Sequence, residues 1–290
     1  MSISPDNPPP PVAIILAAGK GTRMKGDLPK VVHPVGGRPM VCAVVEACRD
    51  AGCSRIIVVV GYKQELVREA LSGYPRIEYA VQDQQLGTGH AVLCAEQTLD
   101  QRRDREGALP VVPGDARSLT VASPVIILAG DGPLIRAQTL RMLLERHRDA
   151  RAAATLATAV IDDPAGYGRI VRDSAGKFTA IVEHKNASED QRRIREVNPS
   201  YYCFDRNELF AALRKVDRNP ASGEYYLTDT LELLLKQGRR VEVAPGVPAE
   251  DVLSINTPQD LTVVDRLYRA RSDAGLKDSG LRTSSSGLPA

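Results

Sequence analysis

A short apolar stretch, Val12–Leu16, runs directly into a loop rich in glycine and basic residues. Such a junction is typical of the carboxyl end of a parallel strand, where the backbone must approach a ligand closely. Gly19 and Gly21 let main-chain N–H groups point at an anion, and Lys20 and Arg23 add positive charge. The segment therefore predicts an anion-binding loop within an α/β fold.

Three better-known phosphate loops do not match this segment. The dinucleotide and kinase loops need a third glycine where Met24 stands, and a P-loop needs Ser or Thr where Gly21 follows Lys20. A plain glycine-rich turn between strand and helix is the alternative for the loop alone. The continuation through Leu28-Pro29-Lys30, which adds another ammonium group, favours phosphate binding.

Composition excludes several classes of protein. The 290 residues are 43% hydrophobic and 26% charged, with a net charge of +2, so we expect a globular protein without a nucleic-acid or membrane partner. The five cysteines lack C-x-x-C spacing, which argues against a disulfide framework or a zinc site and favours the reducing cytoplasm. No apolar run approaches the roughly 20 residues of a membrane helix.

Periodicity predicts buried strands that alternate with amphipathic helices, followed by a region of short strands and hairpins. The predicted strands cover residues 12–16, 55–60, 77–81, 125–129, 153–160, 168–172, 178–183, 201–204 and 240–243. The predicted helices cover residues 40–50, 64–71, 89–98, 137–147, 207–215, 227–237 and 257 or 258 to about 270. We therefore predict an α/β fold with a mostly parallel, Rossmann-like sheet and a smaller antiparallel part.

The chain is predicted to form one domain over residues 12–270. Residues 1–11 are proline-rich and residues 271–290 are rich in Ser and Gly, so we expect a disordered tail at each end. Residues 101–122 are charged and then proline-rich, and they are predicted to be an inserted surface loop.

Two polar groups follow predicted strands. Gln82 precedes a glycine-containing turn and a helix that begins near Thr88; its amide suits the edge of a base, although a simple capped helix start would look similar. Asp131 follows the strand at 125–129 in a Gly-flanked turn, and a carboxylate there suits Mg²⁺ bound together with phosphates. A turn or helix-capping aspartate is the alternative.

A further carboxylate, Glu183, ends a predicted strand and is suited to accept hydrogen bonds from sugar hydroxyls. A surface carboxylate paired with Lys185 or Arg169 is the alternative. His90 and His184 have no partners at metal-ligand spacing, so both are expected to be structural.

Together these segments resemble the sugar-nucleotide pyrophosphorylases, a nucleotidyltransferase family. Within it they are similar to the N-acetylglucosamine-1-phosphate uridylyltransferase domain of the bifunctional enzyme that makes UDP-N-acetylglucosamine, a peptidoglycan precursor of the cell envelope. The resemblance implies a GT-A-type nucleotidyltransferase fold. It rests on Leu16–Met24, Leu28–Lys30, Gln85–Ala91, Gly130-Asp131, Asp163–Ile170, Ile181–Lys185, Gly223–Asp229 and Asn256.

The resemblance also implies roles for individual residues. Arg23 and Lys30 are the implied catalytic cations, and Asp131 and Asn256 are the implied Mg²⁺ ligands. The implied nucleotide-binding residues are Leu16, Ala17, Ala18, Gly19, Gln82, Gly87 and Thr88. The implied sugar-binding residues are Gly168, Glu183, Asn198, Tyr226 and Thr228.

The implied reaction transfers UMP from UTP to N-acetylglucosamine 1-phosphate, giving UDP-N-acetylglucosamine and pyrophosphate. Two departures leave the sugar open: Pro199-Ser200 stands where the family usually has Thr-Gly, and Ala129 stands where relatives often carry a bulky residue. Another hexose 1-phosphate and a catalytically silent nucleotide-sugar binding protein are the alternatives. The sequence contains no hexapeptide repeats of an acetyltransferase β-helix, so acetyltransferase activity is not expected, and the oligomeric state stays open.

Overall fold

The structure is a computed structural model that describes residues 9–24, 26–100 and 123–282. Its strands are β1 (Val12–Leu16), β2 (Pro34–Val35), β3 (Arg38–Pro39), β4 (Arg55–Val60), β5 (Ile77–Val81), β6 (Val125–Ala129), β7 (Ala154–Ala157), β8 (Ala159–Val160), β9 (Gly168–Arg172), β10 (Phe178–Val182), β11 (Glu196–Asn198), β12 (Tyr201–Phe204) and β13 (Val241–Ala244). Its helices are α1 (Met40–Asp50), α2 (Gln64–Ala70), α3 (Thr88–Cys94), α4 (Glu96–Asp100), α5 (Ala137–Ala150), α6 (Glu189–Arg192), α7 (Arg206–Leu213), α8 (Asp229–Lys236) and α9 (Pro258–Arg282).

The central sheet has seven strands in the order β13-β7-β12-β6-β1-β4-β5. Strand β1 is parallel to both of its neighbours, with Leu16 opposite Val59 on one side and Ala129 on the other. The loops that follow β1 and β6 therefore leave the sheet at the same carboxyl edge, where open α/β sheets bind ligands.

The five inner strands of this sheet are buried on both faces, as expected for continuous apolar runs in a parallel sheet, whereas the edge strands β5 and β13 are mostly half-buried. Ile15 faces a core completed by α1 and α5, whereas Ile14, Ile57 and Ile127 face a core completed by α3, α7 and α8. All four isoleucines have essentially no exposed surface. This packing fixes the sheet edge rigidly beneath the loops.

A second sheet has four antiparallel strands in the order β10-β9-β11-β8. In sequence, its strands lie between β7 and β12 of the first sheet. The hairpin between β9 and β10 turns through Ser174–Gly176, as the sequence predicted, and Gly176 has a φ of 77°. Strand β12 runs antiparallel to both of its neighbours in the large sheet. The predicted α/β fold with a smaller antiparallel part is thus confirmed.

Several predicted boundaries differ from the structure. The helix predicted at 89–98 is two helices, α3 and α4, and the strand predicted at 153–160 is divided into β7 and β8. Strand β11 and the β2–β3 hairpin were missed, because two or three residues carry too little periodicity to detect. The predicted insertion at 101–122 lies outside the described residues.

Both predicted tails need correction at their inner ends. The carbonyls of Pro9 and Pro11 accept hydrogen bonds from Arg148 and from the Ser54 amide, because proline lacks only the donor. Helix α9 continues to Arg282, past the end predicted near residue 270, and the Ser272 hydroxyl bonds the carbonyl four residues earlier. Within the described residues, no helix is both long enough and apolar enough to cross a membrane.

Candidate active site

The loop after β1 is shaped by a close approach between Gly21 and Lys30. Gly21 has a φ of 69°, and a Cβ there would lie 2.6 Å from the Cβ of Lys30. A glycine is therefore needed both for the backbone conformation and for the space. The short 3₁₀ turn Thr22–Met24 buries Met24 and leaves Arg23 exposed above the sheet edge.

Four predicted site residues meet in one hydrogen-bonded cluster. The Lys30 ammonium donates to Asp131 Oδ2 and, at 2.7 Å, to Asn256 Oδ1. Arg23 Nη2 donates to the same Asn256 oxygen at 2.8 Å. Lysine and arginine can only donate, so the amide oxygen of Asn256 must face them. The cluster thus joins two cations from the loop after β1 to two acceptor oxygens, one from the middle of the chain and one from near residue 256.

Backbone contacts hold the two oxygen donors near each other. The Ile255 amide donates to the Asp131 carbonyl at 3.0 Å, and Asp260 Oδ2 accepts from the amides of Asn256 and Thr257 at 2.9 and 2.8 Å. The Thr257 hydroxyl accepts from the Asp260 amide in return, which caps the start of α9. Asn256 therefore stands at a fixed helix entrance rather than on a free loop.

The cluster is compatible with a bound magnesium ion. Asp131 Oδ2 and Asn256 Oδ1 already face one cationic group, and carboxylate and amide oxygens are hard donors of the kind Mg²⁺ prefers. Among the side chains that the structure describes, in residues 9–24, 26–100 and 123–273, no three His, Cys, Asp or Glu group into a metal site. Substrate phosphates would have to supply further ligands, as is usual for Mg²⁺.

A cavity of about 220 Å³ lies beside the β1 loop, and it collects most of the predicted nucleotide-binding residues. Gln82 is 3% exposed there, and its Nε2 donates to the Gly87 carbonyl at 3.0 Å and lies 3.1 Å from His90 Nδ1. Because a carbonyl only accepts, the amide nitrogen must face Gly87. The two N–H groups of the amide nitrogen face Gly87 and His90 Nδ1, so only the Gln82 oxygen is left for the base contact predicted from sequence, which expected a donor and an acceptor. His90, predicted to be structural, contacts this side chain.

Two further cavities, of about 560 and 180 Å³, extend from the cluster toward the small sheet. Asn256 and Glu183 line both, and Leu16 and Thr88 line both the largest cavity and the 220 Å³ cavity. The cluster therefore borders the 560 and 180 Å³ cavities, and the 220 Å³ cavity adjoins the 560 Å³ cavity through Leu16 and Thr88. A ligand with a base at one end and a sugar at the other can lie across them with its phosphates at the cations.

Glu183 is an unusual carboxylate within this space. Burial raises its pKa, and Asp229 and Glu224 act in the same direction, whereas Lys185 lowers it. Neither ion pair proposed as an alternative forms in the described structure: Lys185 lies over the Tyr226 ring, with Nζ 5.2 Å from its centroid. The side chain is thus a desolvated acceptor beside Gly168, where a Cβ would lie 3.7 Å from its Oε1.

Asn198 is 5% exposed and is occupied by internal contacts. Its amide nitrogen donates to the Tyr202 hydroxyl at 2.6 Å, and its oxygen accepts from the Ser200 amide at 3.1 Å. Ser200 has a φ of 63°, a conformation that favours glycine. The Pro199-Ser200 departure therefore forms a tight turn that lines the cavities with a hydroxyl-bearing residue.

The structure brings almost all of the predicted site residues to the cavities or the cluster, while their individual roles stay predictions. Ala17 is the exception: it is 2% exposed, and its amide donates to the Val59 carbonyl at 2.9 Å. The sequence also missed residues of the 560 Å³ cavity, namely His184, Lys185, Tyr202 and Glu224. His184, Lys185 and Glu224 lie within two residues of Glu183 or Tyr226, and that proximity is the signal that could have found them; Tyr202 lies four residues from Asn198.

Comparison with known proteins agrees with this geometry. The family model of the MobA-like NTP transferase domain matches residues 13–223. The bifunctional protein GlmU of Heliobacterium modesticaldum is 45% identical over 269 residues, which cover 91% of this chain and 54% of that protein. Its counterpart from Syntrophomonas wolfei is 40% identical over 269 residues, covering 93% of this chain and 55% of that protein.

The chain thus spans about half the length of the curated relatives it matches. A solved structure of UDP-glucose pyrophosphorylase complexed with UDP-glucose has the same fold, with a TM-score of 0.68, 17% identity and coverage of 90% of this chain and 99% of that one. The resemblance predicted from the motifs is confirmed, and the chain belongs to the MobA-like NTP transferase family.

Proposed function

We propose that this protein transfers UMP from UTP to N-acetylglucosamine 1-phosphate, giving UDP-N-acetylglucosamine and pyrophosphate in a Mg²⁺-dependent reaction. The observation that carries the proposal is the cluster of Arg23, Lys30, Asp131 and Asn256, which contributes lining residues to the 560 and 180 Å³ cavities. The chain's similarity to the GlmU proteins supports the choice of reaction.

The chemistry requires no general base. A phosphate oxygen of the sugar 1-phosphate, ionised at neutral pH, attacks the α-phosphorus of UTP. The bond from that phosphorus to the bridging oxygen breaks, and its electron pair leaves with pyrophosphate. The barrier comes from bringing anions together, so fixed cations and correct positioning supply the catalysis. Arg23 stabilises the leaving pyrophosphate, and Lys30 neutralises the incoming phosphate.

Asp131 and Asn256 would hold the metal ion, whose charge would polarise the phosphate oxygens and orient the triphosphate. In the structure the Lys30 ammonium is paired with both of their oxygens. Lys30 is therefore held at the point where phosphates arrive, and it needs only to exchange protein oxygens for phosphate oxygens. This preorganisation avoids moving a charge through solvent during the reaction.

The remaining predicted residues divide between the two ends of the ligand. Gln82 accepts from the base, while the Gly87 turn and Gly19 let the nucleotide approach the backbone. Glu183 accepts from sugar hydroxyls, and Gly168 leaves room beside it. The five cysteines are unpaired, which supports the predicted cytoplasmic location.

Another hexose 1-phosphate remains the second candidate substrate, because Ala129 and the strained Ser200 both line the sugar side. The test is pyrophosphate release from UTP, Mg²⁺ and N-acetylglucosamine 1-phosphate. Parallel reactions contain glucose 1-phosphate, galactosamine derivatives, other nucleoside triphosphates or EDTA. The proposal is supported if pyrophosphate is released only with UTP and N-acetylglucosamine 1-phosphate, and if EDTA stops the release. Release with a different sugar phosphate alone would identify that sugar phosphate as the substrate. Absence of release from every pair favours a silent nucleotide-sugar binding protein.

Two variants test the cluster in the same assay. Asp131→Ala should abolish turnover, and Lys30→Ala should lower kcat by about 100-fold or more, the usual effect of losing a transition-state charge contact. Lys177→Ala is the matched control, because this exposed lysine lies in the β9–β10 hairpin, outside the three cavities. Substantial Mg²⁺-dependent turnover in Asp131→Ala would refute the role of Asp131 in holding the metal ion. An unchanged kcat in Lys30→Ala would refute the role of Lys30 in neutralising the incoming phosphate.

A further inference from the structure

Arg169 is a buried cation that contacts two segments bordering the 560 and 180 Å³ cavities, at Tyr167 and His184. It is 1% exposed, its Nη1 donates to the Tyr167 carbonyl, and its Nη2 donates to the Arg192 carbonyl at 3.5 Å. The same Nη2 lies 3.2 Å from His184 Nδ1. The guanidinium thus connects the loop before β9 with the 3₁₀ turn His184–Asn186.

This contact determines which nitrogen of His184 carries the proton. An arginine side chain stays protonated in proteins and has no acceptor atom, so Nη2 must donate and Nδ1 must accept. A neutral imidazole that accepts at Nδ1 carries its hydrogen on Nε2. His184 lines the 560 Å³ cavity, and Nε2–H is the ring donor that Arg169 does not engage.

We propose that His184 is a substrate-binding residue whose Nε2–H donates to an acceptor oxygen of the sugar 1-phosphate, with Arg169 as the positioning residue that fixes this tautomer. The inference rests on the proposed function and extends it. Glu183 and His184, adjacent in the chain, then give the cavity one acceptor and one donor. A sugar satisfies both residues if one hydroxyl donates to Glu183 and another oxygen, from a carbonyl or a second hydroxyl, accepts from His184.

Two substitutions separate the two nitrogens of the ring. In His184→Asn the amide can occupy the place of Nδ1 and keep the Arg169 contact, but nothing reaches the place of Nε2. In His184→Gln the longer amide can restore the donor at Nε2. Asn186→Ala is the control, because Asn186 is exposed on the same turn and does not line the cavity.

The assay measures pyrophosphate release at saturating UTP and Mg²⁺ while the sugar 1-phosphate is varied. His184→Asn should raise the KM for the sugar phosphate about three- to tenfold, as expected for one lost neutral hydrogen bond. Its kcat and its KM for UTP should stay unchanged, because the contact is equal in ground and transition states. His184→Gln should recover most of the loss, and Asn186→Ala should behave as wild type.

Repeating the assay with glucose 1-phosphate identifies which sugar oxygen accepts the hydrogen bond from His184. An effect of His184→Asn on N-acetylglucosamine 1-phosphate alone assigns the acetamido carbonyl, and an equal effect on both sugars assigns a hydroxyl oxygen. A wild-type KM for the sugar phosphate in His184→Asn overturns the inference and leaves the proposed function intact. Equal losses in all three variants also overturn it, because they indicate a structural turn. If the wild-type protein turns over no sugar phosphate, both the inference on His184 and the proposed function are refuted.

Discussion

Replacing the buried Asp251 with Asn should destabilise the protein strongly, because its carboxylate connects three parts of the structure. Asp251 has no exposed surface, and its Oδ2 accepts from Arg136 Nε at 2.7 Å and from Thr139 at 3.4 Å, both near the start of α5. Arg271 Nη2, on α9, lies 2.9 Å from Oδ1, at an angle outside hydrogen-bond geometry. Tyr201 donates to the Asp251 carbonyl.

The expected magnitude follows from these contacts. A hydrogen bond to a charged group contributes roughly 1.5–3 kcal/mol, and breaking a fully buried pair costs about 3–5 kcal/mol. Here the arginines keep partial access to water, with Arg136 48% and Arg271 28% exposed, so the cost must be discounted. We expect Asp251→Asn to lose about 3 kcal/mol, which lowers the Tm of a chain this size by roughly 6–12 °C.

Circular dichroism melting at neutral pH measures the change, and Glu250→Gln is the matched control. Glu250 pairs with the same arginine, Arg271, at 2.9 Å, but its side chain is 60% exposed. An exposed pair contributes about 0–1 kcal/mol, so the control should melt within about 2 °C of wild type. Equal Tm shifts in the two variants would refute the argument that burial makes the Asp251 contacts strong.

Three more predictions concern single positions. Burial raises the pKa of Glu183, so the ionised carboxylate costs stability above its unfolded pKa; Glu183→Gln should raise the Tm at neutral pH and give no gain below about pH 4. Ser200→Gly should stabilise the fold by about 1 kcal/mol in urea denaturation, since the serine has a φ of 63°. Gly87→Ala should cost about 2–5 kcal/mol, because its φ is 97° and the new Cβ would lie 2.6 Å from the Tyr225 carbonyl. Gly52→Ala, with a φ of 89° and open space, should cost only the backbone strain of about 1–2 kcal/mol, and a similar loss in both glycine variants would contradict the steric argument.

Local pattern was enough to predict the elements that form the sheet edge. The apolar runs of β1, β4 and β6 agree with the structure to the residue, because strands buried on both faces read as continuous hydrophobic sequence. Asp131 was placed at a strand end for the same reason. Short elements such as β11 were beyond this reasoning, since their pairing depends on distant residues.

The polar contacts of the site show the limit of the sequence. Asn256 entered the site through family resemblance alone, because no local pattern brings it to Lys30, 226 residues away. The amide of Gln82 was expected to serve a base with both of its polar atoms, but the two N–H groups face the Gly87 carbonyl and His90 Nδ1. The side chain of Asn198 similarly forms its hydrogen bonds within the protein, with the Tyr202 hydroxyl and the Ser200 amide.

The sequence by itself thus determined the α/β architecture and the glycine-containing loop after β1, because these follow from hydrophobic periodicity and backbone sterics. Only the tertiary structure decided which polar atoms face the ligand space. The pairing of Lys30 with Asp131 and the contact of Arg169 with His184 join elements that are distant or separated by turns. Donor and acceptor assignments depend on every partner within about 3 Å, and chain folding alone brings those partners together.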